Sequence, residues 1–269
     1  MTLLLTLLIG ALAGLHTSTW GMYKDAPHEG FTLRTFGRSL VLSTLLAPLV
    51  ARWLGLAPVD PATVLLLFGS VYAAERALTE AWKSFFRSES QSKYTIPMQV
   101  AVLGRPIESR GLRRLLGGLY LGAIGGGLWL LSSMIPKAGA SALAMAVTVG
   151  ALGGWFSAFG GAWKDAPIEG FQPLKFLRSP AIAACFAWLL FRLGGTPVQV
   201  TLAATGFTVA TTETWKTFCF PNSPRGKFAG KPVRFPAMLR RRAWAVPAYV
   251  AIWILVLASF AAAFRGGPS

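Results

Sequence analysis

Long apolar runs alternate with short charged segments along the whole chain. A membrane-spanning helix needs about 20 mostly apolar residues. Eight stretches are candidates, roughly 2–20, 39–57, 62–82, 115–135, 141–162, 180–195, 198–218 and 244–264, the sixth being the shortest. Between the first two, segment 20–38 carries Lys24, Asp25, Glu29, Arg34 and Arg38, so it is expected outside the hydrocarbon layer. Proline disfavours helix in the residue before it. Pro27 and Pro167 therefore predict that the first and fifth helices end near Lys24 and Lys164 and then turn. Segments 83–114 and 216–243 are long, basic and rich in Phe and Pro. They are expected at the interface or against the charged motifs as lids.

Composition agrees with this pattern. Of 269 residues 54% are hydrophobic and 13% charged, with mean hydropathy +0.52; soluble domains carry about 25% charge. A disordered chain, a coiled coil and an ordinary soluble domain are excluded. Cys185 and Cys219 are too few for a disulfide framework and are expected as buried or boundary thiols.

Net charge is +16, from 26 Lys and Arg against 10 Asp and Glu. A basic chain invites a nucleic-acid partner, but apolar runs of membrane length argue against one. Segments following odd-numbered spans hold 21 of the cations. The opposite side holds Arg52, Lys137, Arg192 and Arg265, and Arg76 lies within the third span. Basic loops face the cytoplasm, so both termini are expected outside it, in a bacterial-type inner membrane. The charge thus reads mainly as orientation. Its expected partners are the bilayer, with anionic lipid at the cytoplasmic loops, and a small solute.

The chain is also written twice. Residues 23–31 read YKDAPHEGF and residues 163–171 read WKDAPIEGF. At the same offset Gly10 and Gly14 match Gly150 and Gly154, Arg38-Ser39 matches Arg178-Ser179, and Arg52 matches Arg192. Thr79-Glu80-Ala81-Trp82-Lys83 matches Thr212-Glu213-Thr214-Trp215-Lys216. Gly104-Arg105-Pro106 matches Gly230-Lys231-Pro232, and Arg113-Arg114 matches Arg240-Arg241. Drifting offsets mark loop deletions within an ancestral unit. The expected fold class is an all-α integral membrane protein, with repeats 1–138 and 139–269 of four helices each. An even number of spans returns the chain to its starting side. The repeats are therefore expected parallel, related by a pseudo-two-fold along the membrane normal. The first span matches an internal one, so it is expected to be retained and not cleaved.

Six of the ten acids are three positions written twice: Asp25, Glu29 and Glu80 with Asp165, Glu169 and Glu213. Lys24, Arg38 and Lys83 accompany them, with Lys164, Arg178 and Lys216 in the copy. These twelve are the candidate substrate-binding or coupling residues. Their plainer reading is helix caps, turns and local ion pairs, and Trp82 and Trp215 read equally as interfacial anchors. Glu80 and Lys83 fall on one helix face, as do Glu213 and Lys216. Glu75 and Arg76 lie deeper, where charge is costly, and form a possible intramembrane pair. Thr208 and Val209 replace them in the copy.

No P-loop, CxxC, HExxH or Gly-x-Ser-x-Gly signature occurs. His28 is Ile168 in the copy, which excludes a duplicated histidine site. No catalytic residue, metal site or cofactor is expected. The leading expectation is a transporter or carrier for a small polar or anionic solute. The alternatives are a membrane enzyme acting on a lipid or lipid-linked phosphate, and a structural or assembly protein.

Overall fold

The computed structural model describes residues 2–91, 94, 98–102, 105–134 and 140–266. Gly104, Lys137 and the boundary at 138–139 lie outside them. The chain is all-helical. In order come α1 (Thr2–Glu29), α2 (Leu33–Leu54), α3 (Pro61–Ala81), a π-helical turn (Trp82–Phe86) and a small antiparallel hairpin, β1 (Ala101–Val102) and β2 (Arg105–Pro106). Then follow α4 (Arg110–Met134), α5 (Ala140–Glu169), α6 (Pro173–Arg192) and α7 (Pro197–Phe218). A 3₁₀ turn (Gly226–Phe228), α8 (Ala237–Arg241), a second 3₁₀ turn (Arg242–Ala245) and α9 (Val246–Arg265) complete it.

Seven helical stretches are long and apolar enough to cross a membrane: α1, α2, α3 with its π-turn, α4, α5, α6, and Ala237–Arg265. Leu45, Leu49 and Trp53 on α2, and Ile254, Leu257 and Phe264 on α9, are exposed. Apolar outer faces of this extent require apolar surroundings, so the molecule is built for embedding in a membrane. The sequence assigns an eighth span at 198–218. A 22-residue helix, α7, does occupy that place, but it carries seven threonines with Glu213 and Lys216 and falls short on composition. It tolerates this polarity by sitting centrally, against α3, α5 and α6. Thr201, Thr205, Thr208 and Thr214 each donate to the carbonyl four residues back, which satisfies their hydroxyls within the helix.

Small residues set the close helix contacts. A side chain at Gly14 would meet the Ser39 carbonyl at 2.5 Å, and one at Gly10 would meet Ala47 at 2.6 Å. On the other side Gly154 meets Ser179 and Pro180, and Gly150 meets Ala187. The α1–α2 and α5–α6 pairs thus close through residues standing 140 positions apart in the sequence. At the centre, α3 and α7 cross where Gly69 meets Ala203 and Gly206 meets the Gly69 backbone. Leu65, Tyr72, Val200 and Phe207 fill the core around that crossing.

The helix ends differ from the sequence expectation. Neither α1 nor α5 stops near Lys24 or Lys164; both run on through the proline to Glu29 and Glu169. Proline at position 27 cannot donate to the Tyr23 carbonyl, and the Arg242 guanidinium donates to that carbonyl instead, at 3.0 Å. The helices end one turn later, at Gly30 (φ 83°) and Gly170 (φ 78°). There a left-handed residue closes the last turn at low cost. Lys24, Asp25 and Glu29 are consequently helical. The thiols of Cys185 and Cys219 are free and exposed, so neither is a core residue.

Candidate functional site

α1 and α5 carry the KDAP motifs in their last turns, and α3 and α7 carry the Glu-Lys motifs near their ends. The central α3–α7 contact brings all four helix ends together. One cavity of about 1330 Å³ results. Every one of the twelve candidate residues borders it except Glu169, whose carboxylate instead accepts from Lys175 and from the backbone N–H of Gly226.

The charges pair across the two halves of the sequence. Lys24 of α1 donates to Glu213 of α7 at 2.6 Å. Reciprocally, Lys164 of α5 donates to Glu80 of α3. Glu80 also accepts from Arg76 and, at 3.1 Å, from Lys83. In the second half the sequence expectation of a Glu213–Lys216 pair is not what forms. Lys216 reaches Asp165 at 3.2 Å, because Glu213 is taken by Lys24. Trp20 lies beneath this network, with the Lys24 ammonium 4.5 Å and the Arg76 guanidinium 5.3 Å from its ring centre.

Glu75 and Arg76 are neighbours in sequence, so their side chains leave α3 in different directions. Their closest charged atoms are 3.8 Å apart, and Arg76 is closer to Glu80. Glu75 is fully buried and accepts from Thr79 at 2.8 Å. It stands outside the cavity lining.

The segment between α7 and α8 straps across both KDAP motifs. Lys227 donates to Asp25 at 3.2 Å and to Glu29 at 3.5 Å. The backbone N–H groups of Arg234 and Phe235 both reach the Pro27 carbonyl at 2.9 Å. His28 stacks on Phe228 with ring centres 4.3 Å apart, and its Nδ1 lies 2.9 Å from the Pro232 carbonyl. Gly226, at φ 77°, lets the backbone approach Asp165 and Glu169.

Sequence reasoning missed Lys175, Arg225, Lys227 and Trp20, all on the cavity wall. Trp20 stands one helical turn before Lys24, a spacing that points both side chains the same way. The others carry no duplicated signature. In all, ten Lys and Arg and five Asp and Glu line the cavity. The cavity wall therefore carries an excess of five formal positive charges. Among the described residues, no group of three His, Cys, Asp or Glu is placed to bind a metal ion.

Fold and site together define a helical protein with several helices long and apolar enough to span a membrane and a charge-lined cavity between its central helices. No family model, no curated protein and no solved structure matches the chain.

Proposed function

We propose that the protein is a multi-pass inner-membrane carrier for a polar or anionic solute. Its eight long helices, α7 included, form two parallel four-helix repeats, α1–α4 and α5, α6, α7 with α9. The basic loops and the cavity face the cytoplasm, and both termini lie outside. Twenty-one cations on one side of the span pattern support the orientation. The matched glycine contacts of α1–α2 and α5–α6 support the repeat.

The observation that carries the reading is the reciprocal pairing of Lys24 with Glu213 and of Lys164 with Glu80 on one cavity wall. A purely local ion pair would not need the partner repeat. Here each repeat supplies the cation for the other's carboxylate, so any change in their mutual tilt breaks both contacts together. A bound anion competes with Glu80 and Glu213 for the same ammonium groups and so couples occupancy to that tilt.

The test is uptake into proteoliposomes of purified protein, with radiolabelled phosphate, succinate, glutamate and palmitoyl lysophosphatidic acid as probes. The expected result is accumulation of at least one probe above empty liposomes, abolished by Lys24→Gln with Lys164→Gln. Uptake of none by the wild type, or undiminished uptake by the double variant, refutes the carrier role.

A further inference from the structure

The two halves differ where their outer helices meet the core. α9 packs directly on α1 and α3. Aromatic side chains seal that contact. His16 stacks on Tyr249 at 4.2 Å and meets Trp253 edge-on at 5.4 Å. Beneath it, Trp20 Nε1 of α1 donates to the Tyr72 hydroxyl of α3 at 2.7 Å, and His16 Nδ1 lies 3.1 Å from the same hydroxyl, so the α1–α3 space is filled as well.

On the opposite side α4 rests on the π-turn and α7 and scarcely touches α5. The cavity extends into the space between them. It passes Ile124 and Leu128 of α4, Phe156 and Gly160 of α5, and a floor of Thr201 and Thr205 on α7. The repeat alignment explains the opening. At the offsets of the duplicated motifs, Trp20 corresponds to Gly160 and Tyr72 to Thr205. The two rings joined by a hydrogen bond in the sealed half are thus replaced by a hydrogen atom and a small hydroxyl. A side chain at Gly160 would meet nothing within 4 Å.

The same cavity holds two guanidinium groups near one ring. Arg178 of α6 and Arg225 of the strap lie 4.6 Å and 5.0 Å from the ring centre of Trp215. Among the described residues neither is within ion-pair distance of a carboxylate, and the Nε of Arg178 is buried without a hydrogen-bond partner. Two adjacent guanidinium groups without a direct ion pair, with Glu213 and Asp165 acting on Arg178 only from beyond contact distance, fit the oxygens of a phosphate or carboxylate. An apolar slot within the same cavity fits a hydrocarbon chain.

We infer that the ligand is an anionic amphiphile, with its phosphate or carboxylate on Arg178 and Arg225 and its acyl chain in the slot between α4 and α5. The inference deepens the carrier reading, on which it rests only for what is moved. Binding itself is read without transport.

The probes are palmitoyl lysophosphatidic acid, palmitoyl lysophosphatidylcholine and glycerol 3-phosphate, added to the full-length protein in non-ionic detergent. Retention is read by native mass spectrometry. Wild type holds lysophosphatidic acid about tenfold more tightly than lysophosphatidylcholine, about one charge-assisted contact's worth. Glycerol 3-phosphate, the head without the chain, does not displace it at equal concentration. Arg178→Gln with Arg225→Gln brings the two lipids to parity. Gly160→Trp with Thr205→Tyr restores the rings of the sealed half and loses both lipids, while elution volume and helicity stay unchanged. Equal retention of the two lipids by wild type overturns the inference, as does displacement by glycerol 3-phosphate or full binding in a folded slot-filled variant. If uptake fails while retention follows the expected pattern, the site stands and the carrier role falls. If uptake of phosphate, succinate or glutamate depends on Lys24 and Lys164 while no lipid preference exists, the amphiphile site falls alone.

Discussion

The Lys24 ammonium lies 2.6 Å from the Glu213 carboxylate, although 189 positions separate them in sequence. Its reciprocal partner pair, Lys164 with Glu80, is not energetically equivalent, because Glu80 keeps Arg76 and Lys83 when Lys164 is removed. Glu213 has less reserve: among the described residues Lys24 is its direct ion-pair partner, and Lys216 and Arg76 act on it only from beyond ion-pair distance. Stripping one member from a fully buried pair costs about 3–5 kcal/mol; this pair is partly buried, its side chains 14% and 16% exposed, so the loss is smaller but still removes the one direct partner of Glu213 among the described residues. Lys24→Met is therefore expected to lower the melting temperature in detergent clearly, and Lys164→Met by less than half as much. Exchanging the charges, Lys24→Glu with Glu213→Lys, recovers most of the loss. A Lys164→Met defect as large as that of Lys24→Met would contradict the unequal reserve.

At the α3–α7 crossing the backbone itself is the contact. A methyl group at Gly69 would stand 2.6 Å from the Ala203 carbonyl, and at Gly206 it would overlap the Gly69 carbonyl. Overpacking of a tight contact costs about 1–3 kcal/mol or more, and here the obstacle is backbone that cannot rotate away. Gly206→Val is expected to abolish monodisperse protein on gel filtration. Gly122→Val on α4, where nothing lies within 4 Å, leaves it intact. Both substitutions carry the same helix-propensity change, so the contrast isolates packing.

The Pro27 break and Arg242 form a second testable unit. Arg242 donates to the Tyr23 carbonyl at 3.0 Å and to the Pro221 carbonyl at 2.9 Å, and its guanidinium sits 4.1 Å from the Tyr23 ring centre. A hydrogen bond from a charged donor contributes about 1.5–3 kcal/mol. Arg242→Gln is expected to destabilise by about that much. In a Pro27→Ala background the backbone N–H at 27 reclaims the Tyr23 carbonyl, so Arg242→Gln then costs less. A double-mutant cycle in thermal unfolding measures the difference; strict additivity would show that Arg242 does not substitute for the missing backbone bond.

How far the sequence carried depends on the residues. The apolar runs located the helices well, because burial in lipid leaves a signal of about 20 residues that local chemistry cannot mimic. At 198–218 the expected helix forms as α7, but it is less apolar than the other long helices, which it tolerates because its threonines are satisfied by their own helix and its faces are covered by protein. The α1 end was missed because the group that rescues the Pro27 break, Arg242, lies in the 3₁₀ turn after α8, more than two hundred positions away; α5 runs on through Pro167 in the same way. The duplication was fully legible and named eleven of the cavity-lining charged residues. It could not say that Lys24 would choose Glu213 over a nearer acid. Duplication also hides whatever is not repeated, and Lys227 and Arg225 belong to one half only.

Orientation can be read from the two native thiols. Cys219 caps the C-terminal end of α7, on the side of the basic strap, and is exposed. Cys185 is exposed midway along α6, on an apolar face with Ala181 and Trp188 that is expected to lie against lipid. Water-soluble reagents do not enter hydrocarbon, so Cys185 should react slowly from either side. With basic loops in the cytoplasm, a membrane-impermeant maleimide is expected to label Cys219 in inside-out vesicles and not in intact spheroplasts. A Cys185→Ser variant assigns the signal to Cys219 by leaving it unchanged, and Cys219→Ser removes it. Rapid labelling of Cys219 from the outside would invert the topology. It would place the charged cavity and its strap on the opposite face, and the proposed carrier would then load its solute from there.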